Sequence, residues 1–205
     1  MSLEQEIKLA VLQDTEIDLA ALDWLQSSVT KQKTQALRTD YYDTPEFTLR
    51  DQRIALRLRQ VEGQWVQTVK TAGQVKAGLH QREEWDQPLL TGEFDQALLR
   101  QTPLAPIVDD PGKWRRLGCI FSTQFTRVTW DLQIDDTLVE LAYDRGWVKA
   151  GGRQTPIHEI ELELRHGELT VLSTLAQQLK TALPLRDNPV NKAQLGYDLL
   201  MPAKD

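Results

Sequence analysis

Between residues 159 and 164 the chain reads Glu-Ile-Glu-Leu-Glu-Leu, and no other stretch constrains its fold as much. Apolar and charged residues alternate at period 2, the repeat of a β-strand. Ile160, Leu162 and Leu164 therefore share one face, and Glu159, Glu161 and Glu163 the other. Three carboxylates in line repel one another unless a cation or a set of bases lies opposite. An ordinary half-exposed strand wets its polar face with mixed signs and with Thr, Ser and Gln. Here strand faces dense in charge recur, several of them of one sign. Glu4, Glu6 and Lys8 share a face opposite Ile7, Leu9 and Val11, and Arg57 and Arg59 alternate with Leu56 and Leu58. Lys70 lines up with Thr68 and Val66, Arg82 pairs with Glu84 at i, i+2, and Glu140, Ala142 and Asp144 repeat the spacing. Any one segment reads as a wet strand face; several together converge on one charged interior. If the apolar faces point outward beneath helices, the sheet curls around a polar lumen that takes a cation together with a polyanion.

The remaining segments are consistent with an antiparallel α+β fold of eight strands in hairpin order, with two or three helices. Residues 3–12 read as a strand. Asp14 or Thr15 is placed to cap a helix over 15–28 whose Ile17, Ala21, Trp24 and Leu25 share a face. Pro45 ends a strand holding Tyr41 and Tyr42. A hairpin turns at Glu62-Gly63, and a second strand pair flanks residues 78–86. Thr91 caps a short helix through Leu98 and Leu99, and residues 102–112 form a Pro-punctuated connection. Three further strands follow, then an amphipathic helix over 168–183 and a short one near 192–200. Trp24, Trp130 and the other four Trp are expected in packing roles. Cys119 is expected to be a small buried hydrophobe, and Arg115, Arg116, Arg145 and Lys149 are expected at the surface.

Composition excludes much. The 205 residues carry 40% hydrophobic and 26% charged side chains, too apolar for disorder and enough for a real core. A net charge of −6 disfavours general nucleic-acid binding. No run approaches the length of a membrane span, and the acidic N-terminal stretch lacks the bases of a signal peptide. With one cysteine, a disulfide framework or a Cys-built metal site is ruled out, and the expected location is the cytoplasm. Phosphate-binding Gly loops and a Gly-x-Ser-x-Gly elbow are absent, and His is limited to His80, His158 and His166. Any catalysis rests on carboxylates, Lys and Arg.

At this point the residues meet a known pattern. Glu4-x-Glu6-x-Lys8 resembles the defining motif of the CYTH superfamily, the triphosphate tunnel metalloenzymes. The likeness continues in order through YYDTP (41–45), LRLR (56–59), TVK ending at Lys70 and HQREE (80–84). It runs on through FTRVTW (125–130), VELAYDRG (139–146), EIELEL (159–164) and NKAQLGY (191–197). One such motif is weak; eight further blocks in order are strong. Within the superfamily the pattern is most similar to the bacterial inorganic triphosphatases. Those usually continue into an α-helical CHAD-type region, for which 205 residues leave no room, so a single CYTH domain over 1–205 is expected, with such a region belonging to a longer parent protein.

The resemblance implies an eight-stranded antiparallel β-barrel open as a tunnel, helices packed outside, a triphosphate bound within, and Mg²⁺ or Mn²⁺ as cofactor. It assigns Glu4, Glu6, Glu161, Glu163 and Glu159 to metal. Lys8, Arg57, Arg59, Lys70, Arg82, Arg127 and Lys192 are assigned to phosphate oxygens. Glu84, Glu140 and Asp144 are assigned to supporting these groups. Lys8, Arg57, Arg59, Lys70 and Glu161 are the catalytic candidates. Carboxylate oxygens suit hard divalent ions, and phosphoryl transfer asks mainly for positioning and charge neutralisation. The expected reaction is hydrolysis of inorganic triphosphate. The alternatives are the same site acting on thiamine triphosphate, a nucleoside triphosphate or ATP cyclisation, and a non-catalytic polyphosphate-binding module. Acidic ligands gain a pure anion binder nothing, which weighs against the last.

Overall fold

A computed structural model describes residues 1–76 and 79–201. Its strands are β1 (Ser2–Val11), β2 (Val29–Asp43), β3 (Ile54–Val61), β4 (Gln64–Thr71), β5 (Gln74–Lys76), β6 (Leu79–Leu89), β7 (Gly118–Ile134), β8 (Thr137–Ala150), β9 (Arg153–His166) and β10 (Leu185–Asp187). Eight of them, β1, β9, β8, β7, β2, β3, β4 and β6, pair in that order, and β6 returns to β1 to close an antiparallel barrel. The short β5 and β10 add to β6 and β1. Left-handed backbone at Glu62 (φ 52°) and Gly63 (φ 82°) makes the β3–β4 hairpin turn where expected, in the conformation that matches the strands' twist. Of the strand pair expected to flank residues 78–86, Gly78 lies outside the described residues.

The barrel is inverted relative to an ordinary small barrel. Its apolar side chains point outward and are covered, which leaves the charged faces inside. Among the described residues the helices are α1 (Asp23–Gln26), α2 (Thr48–Asp51), α3 (Gln96–Leu99), α4 (Ala105–Val108), α5 (Pro111–Trp114), α6 (Thr170–Ala182) and α7 (Lys192–Leu200). Leu172, Leu175, Ala176 and Leu179 of α6 share one face and bury against Ile7, Leu9, Ile160 and Leu162. Each fully buried Leu or Ile contributes about 1.5–3 kcal/mol, so this outer layer offsets the cost of a charged interior. A second cluster, with Leu49, Leu56, Val69, Leu99, Leu104 and Ile107, covers β3 and β4. The third closes one end of the barrel: Phe121, Phe125, Val148 and Ile157 meet Tyr197 of α7. Gly196 lets α7 approach, since a Cβ there would lie 2.4 Å from the Phe121 ring.

Several sequence expectations change in detail. The helix over 15–28 shrinks to α1. The Asp18 carboxylate accepts from the Ala20 and Ala21 N–H groups at 3.0 and 3.2 Å and caps a single turn, which the extended backbone at Leu22 (φ −92°, ψ 91°) ends before α1 begins. Ile17 and Leu19 are nevertheless buried on the sheet. Asp95, not Thr91, caps α3, accepting from Ala97 and Leu98 N–H. The 102–112 connection carries α4 and the start of α5, each with a Pro in its first turn. Cys119 is exposed at the start of β7 rather than buried. Trp130 is buried, while Trp24 and Trp147 stay 37% and 43% exposed. Tyr41 turns inward to stack on Phe121, and Tyr42 lies outside, edge-on to Phe94. Among the described residues, no helix is long and apolar enough to cross a membrane.

Candidate active site: a charged cavity inside the barrel

Strand register decides which charges meet. Across β1–β6 Glu4 stands opposite Arg82, across β1–β9 Lys8 opposite Glu161, across β4–β6 Lys70 opposite Glu84, and across β7–β8 Arg127 opposite Asp144. Directly opposed unlike charges stabilise a sheet, and like charges destabilise it. Two places run against this rule: Asp144 stands opposite Glu159 across β8–β9, and Glu140, Glu163 and Glu6 are cross-strand neighbours on β8, β9 and β1, with Asp131 of β7 beside Glu140. All of these side chains except Asp131, Asp144 and Glu159 line a cavity of about 480 Å³, bounded also by Tyr41, Arg57, Arg59, Lys192 and Arg165. That size is ordinary for a small-molecule site.

The deepest part is a closed ionic cage. The Lys192 ammonium, at the start of α7, lies 2.7 Å from Asp144 and 2.9 Å from Glu161, and also pairs with Glu159. Its three donors thus meet three carboxylates. Arg127 holds Asp144 through two parallel bonds of 2.7 and 2.6 Å and also reaches Glu161. The Asn188 amide donates to Glu159 at 2.7 Å. Burial disfavours both the Lys192 and the Lys8 ammonium. Asp144, Glu159 and Glu161 outweigh it at Lys192, and Glu161, Glu6 and Glu159 at Lys8, raising both above the ordinary lysine range. Asp144, Glu159 and Glu161 are close enough together to hold a metal, but Lys192 already neutralises them. Neither Asp144 nor Glu159 lines the cavity; they stand behind Lys192.

Nearer the cavity the pairing is less complete. Glu4 takes Lys70 at 2.8 Å and Arg82, and burial alone would raise its carboxyl; the two bases hold it well below the usual carboxylate range. Glu6 takes Arg82 at 2.9 Å, and Glu84 takes Lys70 at 2.9 Å and Arg57 at 3.1 Å. Burial pushes the Glu163 carboxyl up to about 7, with Glu4, Glu140 and Glu6 adding to it against the pull of Arg165. On the opposite wall the bases outnumber their partners. Arg59 donates to the Thr39 hydroxyl at 2.7 Å and has no carboxylate partner among the described residues. Burial, then Arg57 and Arg127, lower its pKa to about 10. Burial, Arg57 and Arg82 likewise lower Lys70. The Arg57 Nε–H is buried without an acceptor. The Tyr41 hydroxyl faces this wall and is acidified by Arg57, Arg59, Lys192 and Lys70, against its burial.

The donor set tests whether a metal fits. The cavity's acidic side offers carboxylate oxygens from Glu4, Glu6, Glu161 and Glu163, with no thiolate, the set that suits a hard divalent cation such as Mg²⁺ or Mn²⁺. Every base assigned from the sequence lies on the cavity, as do Glu4, Glu6, Glu84, Glu140, Glu161 and Glu163. Sequence reasoning missed Arg165, Asp86 and His80, which also line it. The signal was present. Arg165 continues the Glu159, Glu161, Glu163 repeat by one step, and His80 and Asp86 extend the Arg82, Glu84 face at both ends. Arg50 and Arg53 also line the cavity, but from the α2 turn, where no periodicity points to them.

The chain resembles known proteins along nearly its whole length. It is 33% identical over 195 residues to the inorganic triphosphatase of Haemophilus influenzae, an alignment that takes 95% of this chain and 54% of that protein. The chain therefore spans about half the length of this curated relative. Among solved structures, a putative adenylyl cyclase from Hippeastrum, described as having a dominant triphosphatase activity, superposes with a TM-score of 0.63 at 20% identity, covering 98% of each chain. A putative adenylate cyclase from Vibrio parahaemolyticus superposes at 0.52 with 16% identity, covering 94% of this chain and 97% of that one. At such identities these two speak for the fold alone. The CYTH domain model matches residues 2–197, so an inverted barrel with its charges turned inward is the shared architecture, and the chain belongs to the CYTH domain family.

Proposed function

We propose that the protein is a metal-dependent hydrolase that splits inorganic triphosphate into pyrophosphate and orthophosphate inside the barrel. The observation that carries this reading is the cationic wall that lacks its counter-anion. Arg59 has no carboxylate partner among the described residues, Arg57 keeps a buried N–H without an acceptor, and both face a wall of carboxylates across one cavity. A polyanion supplies the missing acceptors, and carboxylates opposite it make sense only with a cation between. The relationship to an inorganic triphosphatase supports that substrate over others.

In this reading Arg57, Arg59 and Lys70 hold the phosphate oxygens, Arg by paired bonds and Lys as a point charge. Arg82 pairs with Glu4 and Glu6, and Lys8 with Glu6, which holds both carboxylates in place. Glu4, Glu6 and Glu163, with the cavity-facing oxygen of Glu161, are the residues that would hold Mg²⁺ or Mn²⁺. When bound, such an ion neutralises phosphate charge and polarises the scissile linkage. Water attacks the terminal phosphorus, its proton passing to a β9 carboxylate, as the bond to the bridging oxygen breaks and pyrophosphate leaves with the bonding electrons. The Lys192 cage serves as a fixed floor that sets the position of Glu161. A single cysteine suits a reducing compartment, and the reading places the activity in the cytoplasm.

The test is phosphate release from tripolyphosphate, ATP, thiamine triphosphate and pyrophosphate, each with Mg²⁺, Mn²⁺ or EDTA. Fast metal-dependent release from tripolyphosphate supports the proposal. Preference for an organic triphosphate keeps the site and changes the substrate. Silence on all four, with tight tripolyphosphate binding, leaves a binding module. A folded Glu6→Ala variant is expected to lose turnover, and full activity in it would remove the acidic wall from the chemistry.

A further inference from the structure

The row Glu140, Glu163 and Glu6 places like charges opposite one another on three adjacent strands, so its counter-ions decide how it behaves. Glu6 is served from inside by Lys8 at 3.5 Å, buried with it, and by Arg82 at 2.9 Å, whose side chain is 15% exposed. Glu140 and Glu163 are served differently. Among the described residues, Arg165 is the only base within salt-bridge reach of either, at 3.0 Å from Glu140 and 2.6 Å from Glu163. Its side chain is 48% exposed, whereas that of Lys192 in the cage is 8% exposed. A long arginine at the cavity lip, held by two pairs facing solvent, is cheap to displace. The caged ammonium is not, because removing it strands buried carboxylates.

We propose that Arg165 is a resident counter-ion: a positioning residue that neutralises Glu140 and Glu163 while the site holds no divalent cation, and gives them up when one binds. The inference rests on the reading of the acidic wall as a cation site. It explains how a row of opposed carboxylates is tolerated without a permanent internal base at Glu163. It also separates two parts of the acidic wall, a locked part around Lys192 and an exchangeable part around Arg165. The guanidinium competes with the cation for Glu163 and repels it electrostatically, so both effects of Arg165 on cation binding have the same sign.

Mn²⁺ binding by titration calorimetry, without substrate, and thermal unfolding with and without Mn²⁺ test this in the whole chain. Arg165→Gln is expected to bind Mn²⁺ roughly three- to tenfold more tightly than the parent, the gain from removing two lip-exposed ion pairs. Without metal it should melt lower, and Mn²⁺ should raise its melting temperature by more than it raises the parent's. Arg165→Lys should return both readouts toward the parent, which a loss of packing alone would not do. Unchanged or weaker Mn²⁺ binding in Arg165→Gln overturns the counter-ion role. Glu163→Gln is the control for the underlying reading: if it loses Mn²⁺ affinity while Arg165→Gln leaves it unchanged, the cation site stands and the inference falls. If Glu163→Gln leaves Mn²⁺ affinity intact, the cation-site reading itself fails.

Discussion

Arg59 lets the cost of an anion site be measured apart from its chemistry. Its pKa falls from the ordinary arginine range to about 10, a difference equivalent to about 3 kcal/mol against the charged form. Partial exposure screens this, and about half is a fair allowance. For a base with a depressed folded pKa the sign is fixed. The penalty is fully present below about pH 10 and is released only as pH rises from there toward the unfolded arginine's value, so at neutral pH it acts in full. Arg59→Met keeps the length of the side chain and removes the charge. It forfeits the bond to Thr39, worth about 1 kcal/mol. The net expectation is a variant more stable than the parent by about 0.5–1 kcal/mol, a rise in Tm of about 1–4 °C for a chain of this size. Tripolyphosphate should then stabilise the variant far less, because a charge-assisted contact of about 1.5–3 kcal/mol is gone, roughly ten- to a hundredfold in Kd. Differential scanning fluorimetry in EDTA, with and without tripolyphosphate, reads both effects without turnover. A variant that melts lower without ligand, or that keeps the full ligand-induced shift, would refute the argument that this wall is built for an absent anion.

Three further outcomes follow from the packing. Lys192→Met strands Asp144, Glu159 and Glu161 in the floor of the cavity and should cost roughly 3–5 kcal/mol, read as a fall in urea midpoint at unchanged slope. Gly196→Ala forces a methyl group against the Phe121 ring and should destabilise by about 1–3 kcal/mol, with near-ultraviolet dichroism reporting the disturbed Tyr197–Phe121 contact. His158 is half-buried beside the Tyr143 hydroxyl at 2.7 Å, and burial followed by Arg145 lowers its pKa. The unfolded chain therefore takes up a proton near pH 6.5 that the folded chain refuses, so stability drops on acidification through that value, and His158→Gln should flatten the loss between pH 7 and 5.

Most of the architecture is legible because strand alternation is a local signal. The faces Glu4/Glu6/Lys8, Arg57/Arg59 and Glu159/Glu161/Glu163 need only the period of 2 to be read, and same-sign blocks require a common interior. Helix α7 and the β3–β4 turn carry their own local chemistry, an Asn191 cap and Gly63 at positive φ. The expectation for residues 15–28 fails for a reason of the same scale. Apolar spacing puts Ile17, Ala21, Trp24 and Leu25 on one helix face, but the extended backbone at Leu22 divides the segment, so Ile17 and Leu25 are buried while Ala21 and Trp24 are left exposed. Cys119 shows the reverse: its residue type suggests an interior, while its place at the start of β7 puts it on the rim.

The chain alone thus determines an inverted barrel with acidic and basic walls and names nearly every side chain that faces the lumen, since which face a residue takes depends only on its neighbours in sequence. How those charges combine depends on residues that lie on different strands and helices, 31 positions apart for Lys192 and Glu161 and 153 for Lys8 and Glu161. Strand register sets Lys8 against Glu161 and Glu6 against Glu163, and α7 carries Lys192 between Asp144, Glu159 and Glu161. Coulomb energies between charges vary with separation and burial, so only the closed barrel decides which carboxylates are locked by an ammonium, which are lent to Arg165, and which arginine is left without a carboxylate partner among the described residues.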